Sequence, residues 1–180
     1  ERTDYVKNPE KTENGSLVYA YGCTPQLVAA EFALSKRQYT QRTGRKAPGV
    51  IAYHIRQSFK PGEITPEEAN LAGRELAERF LKGRHAYIVC THTDRRHIHN
   101  HIIFNSTTLD NAAKFNNFFN TSRAVARLSD LICLERNLSI ISNPSRGSNT
   151  NCSTWLGDKK QPSHRDVLRA AIDDALARKP

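Results

Sequence analysis

Several features are scarce or absent in this sequence of 180 residues. It contains no methionine and one tryptophan, and its longest apolar runs cover only residues 86–90 and 102–104. Because a membrane-spanning helix needs about 20 consecutive apolar residues, the sequence predicts no such span. None of the four cysteines forms a C-x-x-C pair, so a zinc ribbon is not indicated and reduced thiols in a cytosolic protein are expected.

A starting methionine and a signal peptide are missing from the N-terminus, which reads Glu-Arg-Thr-Asp. We therefore expect a truncated N-terminus and a protein that continues beyond Pro180. The length suits one domain with a substantial core, and 38% hydrophobic with 25% charged residues excludes a disordered tail.

Acidic residues are also in deficit. Asp and Glu number 18 against 27 Lys and Arg, which gives a net charge of +9 and an isoelectric point near 9.6. Such an excess favours a polyanionic partner, and nucleic acid is the commonest one.

The order of predicted elements indicates an α+β fold. Apolar spacing, caps and turns place helices over 25–43, 66–82 and 122–136, and strands over 50–59, 86–91, 97–105, 113–115 and 138–141. We predict a central antiparallel β-sheet with helices packed on one face, as a two-layer sandwich. This domain covers 1–142, a loop follows over 143–162, and a helix over 163–180 starts a further region.

Four of the seven histidines fall within the ten residues 92–101. In a strand, His97, His99 and His101 share one face, with neighbours about 6.5–7 Å apart and the outer two about 13 Å apart. One ion can therefore bind His97 with His99, or His99 with His101, because each ligand must reach within about 2.1 Å of it. His92, at the end of the neighbouring strand, is the expected third ligand.

Three motifs resemble those of one known family. The run H-x-D-x-x-H-x-H-x-H-x-x-x-N, from His92 to Asn105, closely resembles the signature of relaxases of the MobA/VirD type, DNA-nicking mobilisation proteins of the HUH endonuclease class. The segment 53–69 is similar to their second motif, and Asp4-Tyr5-Val6 to the first, which carries the nucleophilic tyrosine on a helix. Order and spacing match over about residues 3–142.

The resemblance implies an HUH endonuclease-like fold and a role for each matching residue. The metal ligands are His92, His99 and His101, the nucleophile is Tyr5, Asp94 orients a ligand histidine, and His97 assists proton transfer or touches phosphate. Two positions depart from the family pattern: Ile98 stands where proline is frequent, and Asn100 where an apolar residue is usual. These departures leave the choice between the two histidine pairs open.

Two further residues are candidates from the strand pattern alone. His54 and Arg56 share one face of the strand over 50–59, where they either contact phosphate or form a solvated edge.

The activity implied by the resemblance is metal-dependent, site- and strand-specific nicking of DNA at a transfer origin. The tyrosine attacks a phosphodiester and stays joined to the 5′ phosphate. The implied cofactor is a divalent ion, Mg²⁺ or Mn²⁺. The implied partners are single-stranded DNA, accessory relaxosome proteins and a secretion-system coupling protein, in a bacterial cytoplasm.

Three other classes compete with this interpretation. A rolling-circle replication initiator uses the same chemistry but usually places its tyrosine after the histidines, whereas this chain has no tyrosine beyond residue 87. A small-molecule metalloenzyme on a β-barrel normally adds a glutamate shortly after H-x-H, where this chain has residues 102–105 without one. A non-catalytic DNA-binding module with structural zinc needs a closed, four-ligand site.

Overall fold

Four antiparallel strands form one sheet in the computed structural model, which describes residues 2–45 and 49–141. The strands are β1 (Val18–Tyr21), β2 (Ala52–Ser58), β3 (Tyr87–His92) and β4 (His99–Asn105), in the spatial order β1-β3-β4-β2. The helices are α1 (Arg2–Val6), α2 (Val28–Thr43), α3 (Pro66–Leu81) and α4 (Thr121–Glu135), with a 3-10 turn at Pro9–Lys11.

The antiparallel hairpin of β3 and β4 occupies the centre of the sheet. Its register pairs His92 with His99 and Cys90 with His101, while β2 pairs Arg56 with His101. Partners in such a register lie on the same face, so the polar side chains of three strands come together there. The predicted α+β class and the antiparallel hairpin are confirmed.

Helix α3 forms where the sequence predicts it, because its first turn is capped on both sides. The Thr65 side chain accepts from the Glu68 backbone N–H, and the Glu68 carboxylate accepts from the Thr65 backbone N–H, with Pro66 at the first position. Buried residues of α3 and α4 pack against β3 and β4 on one face of the sheet, among them Leu76 and Ile132. This face is the predicted helical layer.

A second, smaller helical layer lies on the opposite face. Val6 of α1 and both Val28 and Phe32 of α2 are buried against Ile88 and Ile103 of the central hairpin. The expectation of helices on one face alone was therefore incomplete. The reason is that the histidine-bearing face continues into apolar residues, which are stable only when covered.

Three local predictions differ from the structure. Strand β1 was not predicted, although it pairs with β3 along its whole length. The predicted edge strand over 138–141 is wrong: Leu138 packs on the core, and Ser139 Oγ donates a 2.6 Å hydrogen bond to Glu63. The predicted strand over 113–115 is reduced to a single bridge between Thr107 and Lys114.

The residues Glu1–Ile140 form one compact unit, as their mutual contacts show. The predicted loop over 143–162 and helix over 163–180 lie outside the described residues. Among the helices that the structure does describe, none has the length and apolar character needed to cross a bilayer.

Candidate active site

Three buried histidines converge at one end of the central hairpin. His92 ends β3, while His99 and His101 project from β4 on the same face, and one ligand atom from each lies within 4.8 Å of the other two. His97 is not a member of this group. It precedes β4 in the turn, so the strand alternation predicted for it does not apply, and its ring centre lies 5.3 Å from that of His99.

The hydrogen bonds of two of these rings fix which nitrogen faces inward. Nε2 of His92 lies 2.9 Å from the backbone oxygen of Val6. A carbonyl oxygen only accepts, so this nitrogen carries the proton and the Nδ1 atom keeps a free lone pair. Nδ1 of His101 lies 2.8 Å from Nε2 of His54, which leaves the Nε2 atom of His101 facing the group.

Both inward nitrogens are buried and unpaired. Nδ1 of His92 and Nε2 of His101 have no hydrogen-bond partner among the described residues. Leaving a buried polar atom unsatisfied costs about 1–3 kcal/mol, so such atoms call for an explanation. Lone pairs from converging imidazoles are the donors that a divalent cation accepts, and the three histidines therefore fit a metal ion.

The protonation of the group is also suited to metal binding. Burial, followed by the repulsion that a proton on this ring would meet from the neighbouring His92 and His54, lowers the pKa of His101 to about 3. Burial lowers the pKa of His99 as well, against a weaker raising contribution from the His97 backbone oxygen. These two imidazoles are consequently neutral near pH 7, as a ligand must be.

Tyr5 lies at the edge of the histidine group. Its ring centre is 5.8 Å from that of His92 and 6.3 Å from that of His101, both in edge orientation. Helix α1 holds it there, because the next residue, Val6, is fully buried and its backbone oxygen binds His92. The Tyr5 side chain is nevertheless half-exposed, so a large substrate can reach its hydroxyl.

The other tyrosines lie in packing environments. Tyr39 is buried, Tyr53 stacks on Phe104, and Tyr21 stacks on Tyr87. Tyr19 packs near Tyr87 and lies under a guanidinium group. None of these contacts of the other five tyrosines involves the three histidines.

Asp94 and Lys11 form an ion pair beside the tyrosine. Lys11 Nζ lies 2.9 Å from Asp94 Oδ2 and 3.2 Å from Tyr5 Oη. Burial raises the pKa of Asp94, but the hydrogen bond and charge of Lys11 outweigh it, and the net pKa lies below the usual value. Lys11 is not predictable from the sequence, because no spacing marks a lysine whose partner lies more than 80 residues away.

His54 and Arg56 border the group on strand β2. The His54 ring stacks on His101 with centres 4.9 Å apart, in addition to the hydrogen bond between their nitrogens. Arg56 pairs with His101 in the register and is exposed. In the structure His54 thus contacts a ligand candidate, while Arg56 adds an exposed positive charge beside the group.

Asn100 alternates with the two histidines and points to the opposite face. It is fully buried, donates hydrogen bonds to Gln57 and to the Ala69 backbone oxygen, and accepts one from Thr91. This network stands where the resemblance led us to expect an apolar residue. It fixes strand β4 between His99 and His101.

Comparison with known proteins assigns the family. Residues 5–138 match the family model described as a MobA/VirD2-like relaxase nuclease domain. A Staphylococcus aureus protein named "Protein rlx" is 35% identical over 158 residues, which are 88% of this chain and 46% of that protein. The group II intron-interrupted relaxase LtrB of Lactococcus lactis subsp. cremoris is 36% identical in an alignment of 132 residues that covers 62% of this chain and 23% of that protein.

The chain therefore spans less than half the length of these two relatives. The matched segment contains all three histidines of the group and the tyrosine at its edge. Because the family model covers well over half of the sequence, the chain belongs to the MobA/VirD2-like relaxase nuclease domain family.

Proposed function

We propose that this chain is the nicking domain of a conjugative relaxase. It cuts one strand of DNA at a specific site in a transfer origin and stays attached to the 5′ phosphate through Tyr5. The observation that carries the proposal is the position of Tyr5, a half-exposed side chain at the edge of a buried group of three histidines.

Tyr5 acts as the nucleophile. Its hydroxyl oxygen forms a bond to phosphorus while the bond from phosphorus to the 3′ oxygen breaks, which releases a 3′ hydroxyl. One phosphodiester replaces another, so the step needs no ATP and runs in both directions. Reversal rejoins the strand, as the end of a transfer event requires.

His92, His99 and His101 hold a divalent cation, Mg²⁺ or Mn²⁺. Such an ion, when bound there, would supply positive charge that stabilises the charge developing on the phosphate oxygens. Neutral imidazole ligands leave the full positive charge of the ion, which suits an anionic substrate. His54 orients His101, and Arg56 contacts a phosphate near the nick.

The three-residue ligand set favours catalysis over a structural role. A structural zinc site is closed by four protein ligands, whereas three leave a coordination position for substrate. The group found among the described residues has three members. The position of the tyrosine before the histidines likewise favours a relaxase over a rolling-circle initiator.

Single-stranded DNA is the proposed substrate, and the net charge of +9 supports it. The names of the similar proteins, which include a relaxase, support a setting in DNA mobilisation. We propose that the whole protein works in the bacterial cytoplasm with accessory relaxosome proteins and a secretion-system coupling protein.

A covalent-adduct assay tests this function. The protein is incubated with single-stranded oligonucleotides that tile the DNA flanking its gene, with Mg²⁺ or Mn²⁺, and is run on a denaturing gel. We expect a heat-stable, slower band that disappears in Tyr5→Phe and in His99→Ala and on addition of EDTA. A band that survives Tyr5→Phe would move the nucleophile elsewhere, and tight DNA binding without any band in the full-length protein would refute the nicking activity.

A further inference from the structure

We propose that Lys11 is a further catalytic residue of this site, whose ammonium group holds the hydroxyl oxygen of Tyr5 and balances the charge on it during strand cleavage. The inference rests on the proposed function, because it takes Tyr5 as the nucleophile. It begins from one contact: Lys11 Nζ lies 3.2 Å from Tyr5 Oη, the atom that attacks phosphorus.

The backbone of Lys11 is fixed against the histidine hairpin. Lys11 ends the 3-10 turn Pro9–Lys11, which Asn8 caps by accepting a hydrogen bond from the Glu10 backbone N–H. The Lys11 backbone oxygen accepts a 3.0 Å hydrogen bond from the N–H of Thr93, next to His92. The turn that follows the tyrosine helix is therefore tied to the strand that carries a ligand candidate.

Two side chains, those of Tyr5 and Asp94, hold the ammonium group of Lys11 in place. The ammonium lies 4.3 Å from the centre of the Tyr5 ring and 2.9 Å from Asp94 Oδ2, and only 18% of the side chain is exposed. The hydrogen bond to Asp94, and then the one to Tyr5, raises the pKa of Lys11 above the usual lysine value. The group is thus a permanent cation at neutral pH.

Asp94 has a clear task in this arrangement. An unpaired carboxylate beside a phosphate-binding site would repel DNA, whereas the ion pair with Lys11 cancels that charge. The ion pair with Asp94 also restrains the long Lys11 side chain in advance, so that less rotamer freedom is lost when Lys11 contacts Tyr5. We assign Asp94 as the residue that positions Lys11.

The step balances without a further reactant. The bond between Tyr5 Oη and phosphorus forms as the bond from phosphorus to the 3′ oxygen breaks. The phenol proton passes to water, the 3′ oxygen takes a proton from water, and Lys11 keeps its own protons throughout. Its hydrogen bond to Oη strengthens as negative charge develops there, so the transition state gains more than the ground state. The same bond stabilises the departing phenolate when the strand is rejoined.

The test uses single-turnover cleavage at saturating DNA, with the oligonucleotide that gives the adduct in the wild type. Lys11→Met removes the charge and keeps the length of the side chain, and Lys11→Arg retains a cation. Lys7→Met is the matched control, because Lys7 lies on the same segment but its Nζ donates to the Pro25 backbone oxygen. DNA affinity and melting temperature are measured for every variant.

Lys11→Met is expected to lower the cleavage rate constant roughly 10- to 100-fold, the effect of losing one hydrogen bond to a charged group. DNA affinity should stay within about threefold, since one phosphate contact at most is altered. Lys11→Arg should recover much of the rate, and Asp94→Asn should lose less than Lys11→Met. Lys7→Met should cleave at the wild-type rate.

A cleavage rate for Lys11→Met within twofold of the wild type would overturn the inference and leave the nicking function intact. So would an equal loss in Lys11→Arg and Lys11→Met accompanied by a lower melting temperature, because that pattern marks a structural role. Absence of an adduct in the wild type itself would refute the proposed function first, and this inference with it.

Discussion

The hydrogen bond between His54 and His101 leads to a prediction about metal affinity. If Nε2 of His101 binds the proposed ion, its Nδ1 must carry the proton and donate a hydrogen bond to Nε2 of His54, 2.8 Å away. Such a partner fixes the ring and raises its basicity, and its loss typically weakens metal binding by about 10- to 100-fold. Removal of the acceptor should therefore cost about 1.4–2.8 kcal/mol of binding free energy.

Three substitutions at this position separate the hydrogen bond from packing. His54→Phe keeps an aromatic ring against His101 but has no acceptor, His54→Ala loses both, and His54→Gln restores an amide oxygen as acceptor. We expect the weakening in Phe and Ala and a smaller loss in Gln. Mn²⁺ binding is followed by the electron paramagnetic resonance signal of the free ion at pH 8, where the imidazoles are neutral.

Two neighbouring variants calibrate this measurement. His101→Ala should abolish binding, and His97→Ala should leave it within about threefold, because His97 lies outside the group of converging atoms. Wild-type affinity in His54→Phe would refute the role of the hydrogen bond. Loss of binding in His97→Ala would show that the ion uses the other pair of histidines.

Further predictions concern stability. The pKa of His101 is about 3 in the folded protein and has an ordinary value of 6.5, so between these values the unfolded chain binds a proton that the folded protein does not. The free energy of unfolding of the metal-free domain should therefore fall by up to about 1.4 kcal/mol per pH unit from this residue as the pH is lowered from 6.5 to 3. His101→Gln should make the urea midpoint depend less on pH, and an unchanged slope would contradict the shift. Gly73→Ala should destabilise the domain by about 1–3 kcal/mol, because an added Cβ would lie 2.6 Å from Asn100 Nδ2 and 2.8 Å from Val89 Cγ1. Gly49→Ala is the control in urea unfolding, because a Cβ added there would meet no atom within 4 Å. Equal urea midpoints for the two variants would disprove the close packing at Gly73. Mn²⁺ at a hundred times its dissociation constant should stabilise the domain by about 2.7 kcal/mol, and EDTA should remove this stabilisation. A calorimetric melting temperature that is the same with and without Mn²⁺ would argue against the site.

Local signals in the sequence were sufficient for much of the fold. The capping box at Thr65 and Glu68 predicts the start of α3, and alternation predicts the faces of β4 from His99 to Asn105. Strand β1 escaped prediction because it has four residues and is stabilised by pairing with β3, some 70 positions along the chain. The mainly apolar segment 138–141 has the composition of a strand, but its contacts are the packing of Leu138 on the core and the hydrogen bond of Ser139 to Glu63.

The candidate site divides in the same way. Sequence alternation brought His97 into the strand, whereas the strand begins at His99 and leaves His97 in the turn. Asn100 looked like a departure from pattern, yet its polar network on the opposite face accounts for it. Lys11 could not be identified from the sequence, because its proposed role depends on contacts with Tyr5 and Asp94 that exist only once the chain has folded.

Mass spectrometry of the adduct identifies the residue that carries the cleaved strand. The covalent complex is digested with nuclease and protease, and the peptide that retains a nucleotide is sequenced by fragmentation. We expect a 5′-nucleotide on the side chain of Tyr5 and on no other residue. A nucleotide on another tyrosine, on a serine or on a histidine would contradict it.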